Sequence, residues 1–142
     1  KRDLDTWNAG EFTGTFRGNN LAFATSTKMM QMYWSDNLFE QDTKYKGIFV
    51  RDALQTIADT YESLNFTVNG NGLLCGLDVK NTELADNVTR AAFARQLIVE
   101  TCGAGDQVVK LLPPLTTTDE ELRIGLERLS DAFAEVCVAS VA

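Results

Sequence analysis

The residues best suited to chemistry lie in one short stretch, GTFRGNN at positions 14–20. Gly14 and Gly18 allow backbone N–H groups to approach a ligand closely. A helix start offers unpaired N–H groups and a positive partial charge. Thr15 adds a hydroxyl donor, and Arg17 adds a planar guanidinium suited to phosphate or carboxylate. The stretch is therefore a candidate cradle for an anion.

The same stretch also has a purely structural interpretation. Gly and Asn are common in turns and at helix caps, and Asn19 or Asn20 is a natural N-cap for the helix predicted to follow. Neither a Walker lysine nor a GxGxxG motif accompanies the stretch. Residue types alone favour the turn and cap and leave the anion cradle as the alternative.

Length and composition indicate a globular chain. A chain of 142 residues is long enough to bury a hydrophobic core. Its residues are 44% hydrophobic and 23% charged, which is an ordinary globular composition. The net charge of −7 argues against a nucleic-acid or anionic membrane partner. No apolar run is long enough to span a bilayer, and no signal-peptide pattern opens the chain, so we expect a cytoplasmic protein.

Cysteine and histidine usage restricts the chemistry further. The three cysteines are odd in number, widely spaced and without a CxxC motif, and histidine is absent. We therefore expect no metal site and interpret the cysteines as reduced, mostly buried thiols. Ser-His-Asp and Cys-His catalysis are excluded. Any catalysis must use Lys, Asp, Glu, Tyr, Cys or a bound cofactor.

The pattern of apolar residues and turn residues predicts an α+β fold. Helices are predicted at residues 21–34, 38–64 and 81–95 and after an N-cap at Thr118. Strands are predicted at residues 66–68, 73–79, 98–99 and 108–112, with a Gly/Asn turn at 69–72. The expected order is helix, long helix, hairpin, helix, two short strands and helix.

Local signals in two of these helices are specific. Gly47 interrupts the long helix at a cost of roughly 1 kcal/mol relative to Ala, which predicts a kink or a close contact there. The polar side of that helix is predicted to be solvated. Thr118 and Glu121 form a capping-box pattern at the start of the last helix.

Lys110 is the most unusual single residue, because it is predicted to lie in an apolar strand between Val109 and Leu111. An unpaired ammonium is costly to bury, so burial lowers the pKa of a lysine and makes it a candidate nucleophile. The alternative is a lysine whose ammonium extends to water.

Several motifs resemble class III pyridoxal-phosphate aminotransferases. Residues 14–19, GTFRGN, resemble the (S/G)TFxGN segment of that family, and the longer string at 4–20 resembles its diaminobutyrate–2-oxoglutarate branch, known from ectoine biosynthesis. Segments at 72–78, 97–101, 108–116 and 119–122 resemble the small C-terminal domain of the same family. The resemblance covers essentially the whole chain in the family's order.

This resemblance implies the C-terminal portion of a fold-type I enzyme that works as a homodimer or higher homo-oligomer. Residues 1–35 would end the large domain that binds pyridoxal 5'-phosphate. Residues 36–142 would supply a long helix and a small domain with a short, mainly antiparallel sheet covered by helices. The lysine that binds the cofactor would precede residue 1, so the isolated chain is expected to be inactive.

The resemblance also implies roles for individual residues. Thr15, with Gly14, would contact the cofactor phosphate of the other subunit. Lys110 stands where many members carry an arginine that holds a substrate carboxylate. Arg17 would either contact an acidic substrate or pair with Glu11.

The implied reaction is transamination between L-2,4-diaminobutyrate or aspartate 4-semialdehyde and glutamate or 2-oxoglutarate. Two alternatives stay open. One is another transaminase of the family, of the acetylornithine or 4-aminobutyrate type. The other is a binding or regulatory module that keeps the small-domain fold without chemistry.

Overall fold

The computed structural model describes residues 3, 6–11 and 13–141, the last three by their backbone alone. The chain divides into two compact units, Lys1–Phe39 and Glu40–Ala142. The described helices are α1 (Asn20–Tyr33), α2 (Leu38–Thr60), α3 (Thr82–Ala94) and α4 (Asp119–Val141). The strands are β1 (Thr67–Asn71), β2 (Leu74–Asp78), β3 (Glu100–Cys102) and β4 (Val108–Leu111).

The first unit contains a turn-rich segment and helix α1. The helix begins after Asn19, whose side-chain oxygen accepts a hydrogen bond from the backbone N–H of Ala22 at 3.0 Å. None of the residues of α1 is buried. At its end the rings of Tyr33 and Trp34 lie 4.8 and 5.1 Å from the ring of Phe39.

The second unit is built on a four-stranded antiparallel sheet in the order β1-β2-β4-β3. One face of this sheet, carrying Val68, Cys75, Leu77 and Val109, belongs to a core shared with α2, α3 and α4. The buried helical side chains include Val50, Leu54, Ile57, Val88, Leu129 and Phe133. The α+β prediction and the antiparallel sheet are confirmed.

The hairpin differs from its predicted form. The sequence predicts a turn at 69–72, but Asn69, Gly70 and Asn71 belong to β1, and the loop consists of Gly72 and Leu73. Gly72 has φ +57°, a conformation that suits glycine in a two-residue hairpin loop. Gly70, at φ +101°, also lies in β1. A side chain at this position would clash with the backbone of β2, so the close pairing of the two strands requires glycine there.

Two other element boundaries also differ. The long helix ends at Thr60 and is followed by a single 3₁₀ turn, Glu62–Leu64. Strand β3 begins at Glu100 rather than at 98–99, because its ladder with β4 starts where Glu100 pairs with Lys110. Ile98 instead lies in a connecting segment and is 80% exposed.

Both local helix signals correspond to visible contacts. A side-chain carbon on Gly47 would lie 2.7 Å from the Cα atom of Gly72, so the glycine permits close contact between α2 and the hairpin. The Glu121 carboxylate accepts hydrogen bonds from the backbone N–H and hydroxyl of Thr118, both at 2.8 Å. The backbone N–H of Glu121 donates to the Thr118 hydroxyl at 3.3 Å, which completes the capping box.

Within the described part of the chain, no helix combines the length and apolar character needed to cross a membrane.

Candidate cofactor and substrate site

The stretch at 14–20 forms a tight turn that leads directly into helix α1. The backbone N–H of Arg17 donates to the carbonyl oxygen of Gly14 at 3.1 Å, which closes the turn around Thr15 and Phe16. Both residues at the tip are exposed, and Phe16 is 92% exposed. Gly18, with φ +73°, then redirects the chain into the helix. Thr15 is therefore an exposed residue in a turn that leads into a helix start.

Arg17 lies against this turn. A side-chain carbon on Gly14 would be 3.3 Å from the Nε atom of Arg17, so glycine leaves the room that the arginine side chain uses. Glu11, the alternative partner of Arg17, accepts hydrogen bonds from the backbone and side-chain N–H groups of Asn8 at 2.8 and 2.9 Å. The side-chain hydrogen bond from Asn8 lowers the pKa of Glu11. A substrate contact by Arg17 stays a prediction.

Lys110 lies in the second unit, on strand β4, and forms an ion pair. It faces Glu100 across the β3–β4 ladder, and its Nζ atom lies 2.8 Å from the Oε2 atom of Glu100. The side chains of Lys110 and Glu100 are 27% and 72% exposed. The ion pair is therefore reachable from solvent at its acidic end.

The hydrogen bond between these two groups also favours the charged form of each. It raises the pKa of Lys110 and lowers the pKa of Glu100. Both groups are therefore ionised at neutral pH. The interpretation of Lys110 as an amine nucleophile with a lowered pKa is wrong, because its neighbour stabilises the charged form.

Lys110 also lines a cavity of about 450 Å³ within the second unit. The surrounding wall is mainly apolar and includes Leu97, Ile98, Leu111, Leu112, Pro113 and Leu122. Glu121, the acidic residue in this wall, is occupied by the capping box. An apolar cavity with a cationic residue in its wall is suited to a small organic acid, because a cation can bind the carboxylate and the wall can contact the carbon chain.

The predicted site residues therefore form two groups. Gly14, Thr15 and Arg17 come together in one turn of the first unit. Lys110 belongs to the second unit, where its described ion-pair partner is Glu100.

Glu100 is not among the predicted site residues, although the sequence contains a signal for it. Residues that face each other in a hairpin point to the same side of the sheet, and the loop between β3 and β4 places Glu100 opposite Lys110. The predicted strand at 98–99 ended before Glu100 and hid this pairing. Lys46 carried no prediction in α2; it lies one turn before the buried Val50, is itself buried, and pairs with Asp42 at 2.5 Å.

The cysteines are unbridged thiols. Cys75 and Cys137 are buried, and burial raises the pKa of both, whereas Cys102 is half-buried. In the described ranges, no group of three acidic or cysteine side chains is placed to hold a metal ion.

Comparison with known proteins gives one consistent family. The class-III aminotransferase family model matches residues 3–133. A diaminobutyrate–2-oxoglutarate transaminase of Nocardia farcinica is 46% identical over 137 residues, which cover 96% of this chain and 31% of that protein. The Bordetella parapertussis protein of the same name is 43% identical over 136 residues, covering 95% of this chain and 31% of that protein.

A solved structure shows the same fold. Ornithine aminotransferase from Toxoplasma gondii superposes with a TM-score of 0.80 at 24% identity, over 98% of this chain and 32% of that chain. The chain therefore spans about a third of the length of the proteins that it matches.

Proposed function

Because the chain belongs to the class III aminotransferases, we propose that it is part of an enzyme that exchanges an amino group between L-2,4-diaminobutyrate and 2-oxoglutarate. The observation that carries the proposal is the 46% identity to a diaminobutyrate–2-oxoglutarate transaminase across 96% of the chain. The 4-amino group would be transferred, leaving aspartate 4-semialdehyde and glutamate. Ectoine formation is one use for such a reaction.

Pyridoxal 5'-phosphate is the cofactor of this family, and the turn at 14–17 fits its phosphate. Thr15 is exposed at the tip of the turn, next to a glycine and before a helix start, where donors to an anion are available. When bound, the cofactor supplies the electron sink of transamination. Gly14 and Thr15 would bind and orient its phosphate in the partner subunit of a homodimer or higher homo-oligomer.

Cationic side chains would recognise the substrate. Lys110 lines an apolar cavity, and its hydrogen bond to Glu100 raises its pKa and so favours the charged form. In this proposal it holds a substrate carboxylate, as a point charge in place of the bidentate arginine of other members. Arg17 is a second candidate for an acidic substrate.

The covalent part of the reaction would depend on residues outside this chain. The lysine that binds the cofactor is expected there, so the 142-residue chain alone should show no transamination. We place the enzyme in the cytoplasm, where its three unbridged thiols would stay reduced.

The proposal is tested by measuring amino donors with the full-length enzyme, pyridoxal phosphate and 2-oxoglutarate. We expect 2,4-diaminobutyrate to be used with a kcat/KM well above those of acetylornithine and 4-aminobutyrate. A preference for either of those two donors would assign another substrate branch. Failure of every donor would favour the non-catalytic module.

A further inference from the structure

The ion pair between Lys110 and Glu100 places a positive and a negative group side by side on one face of the sheet. The register of the sheet sets the two residues directly opposite each other, so their side chains leave the same face. On the other side of β4, strand β2 approaches closely, because a side-chain carbon on Gly76 would lie 2.7 Å from the carbonyl oxygen of Val109 and 3.3 Å from the Cα atom of Lys110. The strand pairing therefore fixes the Cα positions of the two residues, and their side chains meet in the ion pair.

Building on the function proposed above, we propose that this pair binds the amino acid end of 2,4-diaminobutyrate, with Lys110 contacting its carboxylate and Glu100 its α-ammonium. An α-amino acid carries opposite charges on one carbon, side by side. The Nζ and Oε2 atoms of the pair, 2.8 Å apart, offer the complementary charges in the same arrangement. Glu100 is 72% exposed, so its carboxylate has room for a second hydrogen bond.

The chemistry of the two half-reactions makes Glu100 selective. Diaminobutyrate reacts through its 4-amino group, so its α-ammonium stays intact and available to a carboxylate. Glutamate reacts through its only amino group and leaves no ammonium for Glu100. Glu100 should therefore contribute to the diaminobutyrate half-reaction and not to the glutamate half-reaction, whereas Lys110 can hold a carboxylate in both.

This assignment differs from simple charge neutralisation. If Glu100 only balanced the charge of Lys110, it would weaken the attraction of Lys110 for every substrate carboxylate. Its removal would then change both half-reactions in the same direction. Selective loss with diaminobutyrate is expected only if Glu100 contacts the α-ammonium.

The test is Glu100→Gln in the full-length enzyme loaded with pyridoxal phosphate. Glutamine keeps the shape and a carbonyl oxygen for Lys110 but removes the negative charge. The kcat/KM of each half-reaction is measured in single turnover, with 2,4-diaminobutyrate and with glutamate. We expect about a 10- to 100-fold loss with diaminobutyrate, the usual effect of a hydrogen bond to a charged group, and no loss with glutamate.

Two further variants separate this role from a structural one. Glu135→Gln removes a matched carboxylate, 60% exposed and paired with Arg95 at 2.7 Å, and should leave both half-reactions unchanged. Glu100→Asp keeps the charge and should recover part of the loss. An equal change in both half-reactions of Glu100→Gln, or none, would overturn this inference alone. A wild-type enzyme that does not react with diaminobutyrate would overturn the proposed function and this inference with it.

Discussion

Lys110 illustrates how a neighbour decides the chemistry of a single residue. Its apolar flanks suggested a lysine of lowered pKa, but the hydrogen bond to Glu100 raises that pKa. The sequence shows directly only the residues that flank Lys110 in the chain. The residue that shifts its pKa lies on the opposite strand. Lys110 is therefore a charged residue whose ion-pair partner is set by the strand pairing, and its contact with a substrate carboxylate stays a prediction.

Thr15 is the residue whose proposed role is most easily isolated. We expect Thr15→Ala in the full-length enzyme to weaken binding of pyridoxal phosphate about tenfold or more, because one hydroxyl donor to a charged phosphate is lost. Equilibrium dialysis of the cofactor measures the change. Thr13→Ala removes an exposed hydroxyl two residues earlier and should bind the cofactor normally. Equal affinities of the two variants would contradict the assignment.

At the scale of elements, the helices were more predictable than the strands. Helix starts depend on local residues, and both Asn19 and Thr118 make the cap contacts that their types predict. Strand boundaries depend on partners distant in sequence. The predicted hairpin loop is too long because glycine is common in turns, so Gly70 is predicted to lie in the loop. In the structure it lies within β1, where its lack of a side chain lets the backbone of β2 approach closely.

The close contact at Gly47 predicts a change in stability opposite in sign to the one expected from helix propensity. In an exposed helix, replacing Gly by Ala stabilises the folded protein by about 1 kcal/mol. At Gly47 the new carbon would lie 2.7 Å from the backbone of Gly72, so we expect Gly47→Ala to destabilise by about 1–3 kcal/mol instead. Gly125→Ala is the matched control in α4, where the nearest atom is Leu97 Cδ1 at 3.7 Å, and it should be neutral or stabilising. Urea denaturation of the two variants distinguishes these outcomes; a stabilised Gly47→Ala would show that the contact is loose.

The capping box predicts a dependence of stability on pH. Hydrogen bonds from Thr118 lower the pKa of Glu121 below its ordinary value of 4.5. The stabilisation is therefore present above about pH 4.5 and is lost as the pH falls through the lowered value.

Thr118→Ala should cost about 1 kcal/mol in the free energy of unfolding near neutral pH. The difference from wild type should shrink at acid pH, because Glu121 is then protonated in both proteins. Urea denaturation at two pH values measures this, with Thr116→Ala as the control. A difference that does not change with pH would mean that the carboxylate adds nothing to the cap.

At the scale of the whole molecule, the chain exposes much apolar surface. In the first unit, large exposed side chains include Leu21, Phe23, Met30 and Met32. In the second unit they include Tyr45, Ile48, Phe93 and Ile98. Such surface is normally covered, and relatives of this chain are about three times its length.

We therefore expect the isolated 142-residue chain to self-associate at micromolar concentration despite its net charge of −7. Sedimentation velocity over a concentration series measures this directly. A single monomeric species at every concentration would contradict the expectation.

The most direct test of the proposed transamination is the absorbance spectrum of the full-length enzyme purified with pyridoxal phosphate. We predict that adding 2,4-diaminobutyrate converts the visible band of the bound cofactor to the pyridoxamine form, and that 2-oxoglutarate restores it. A cofactor band that diaminobutyrate leaves unchanged, while another amine converts it, would contradict the proposed substrate. The absence of any bound cofactor would contradict transamination itself.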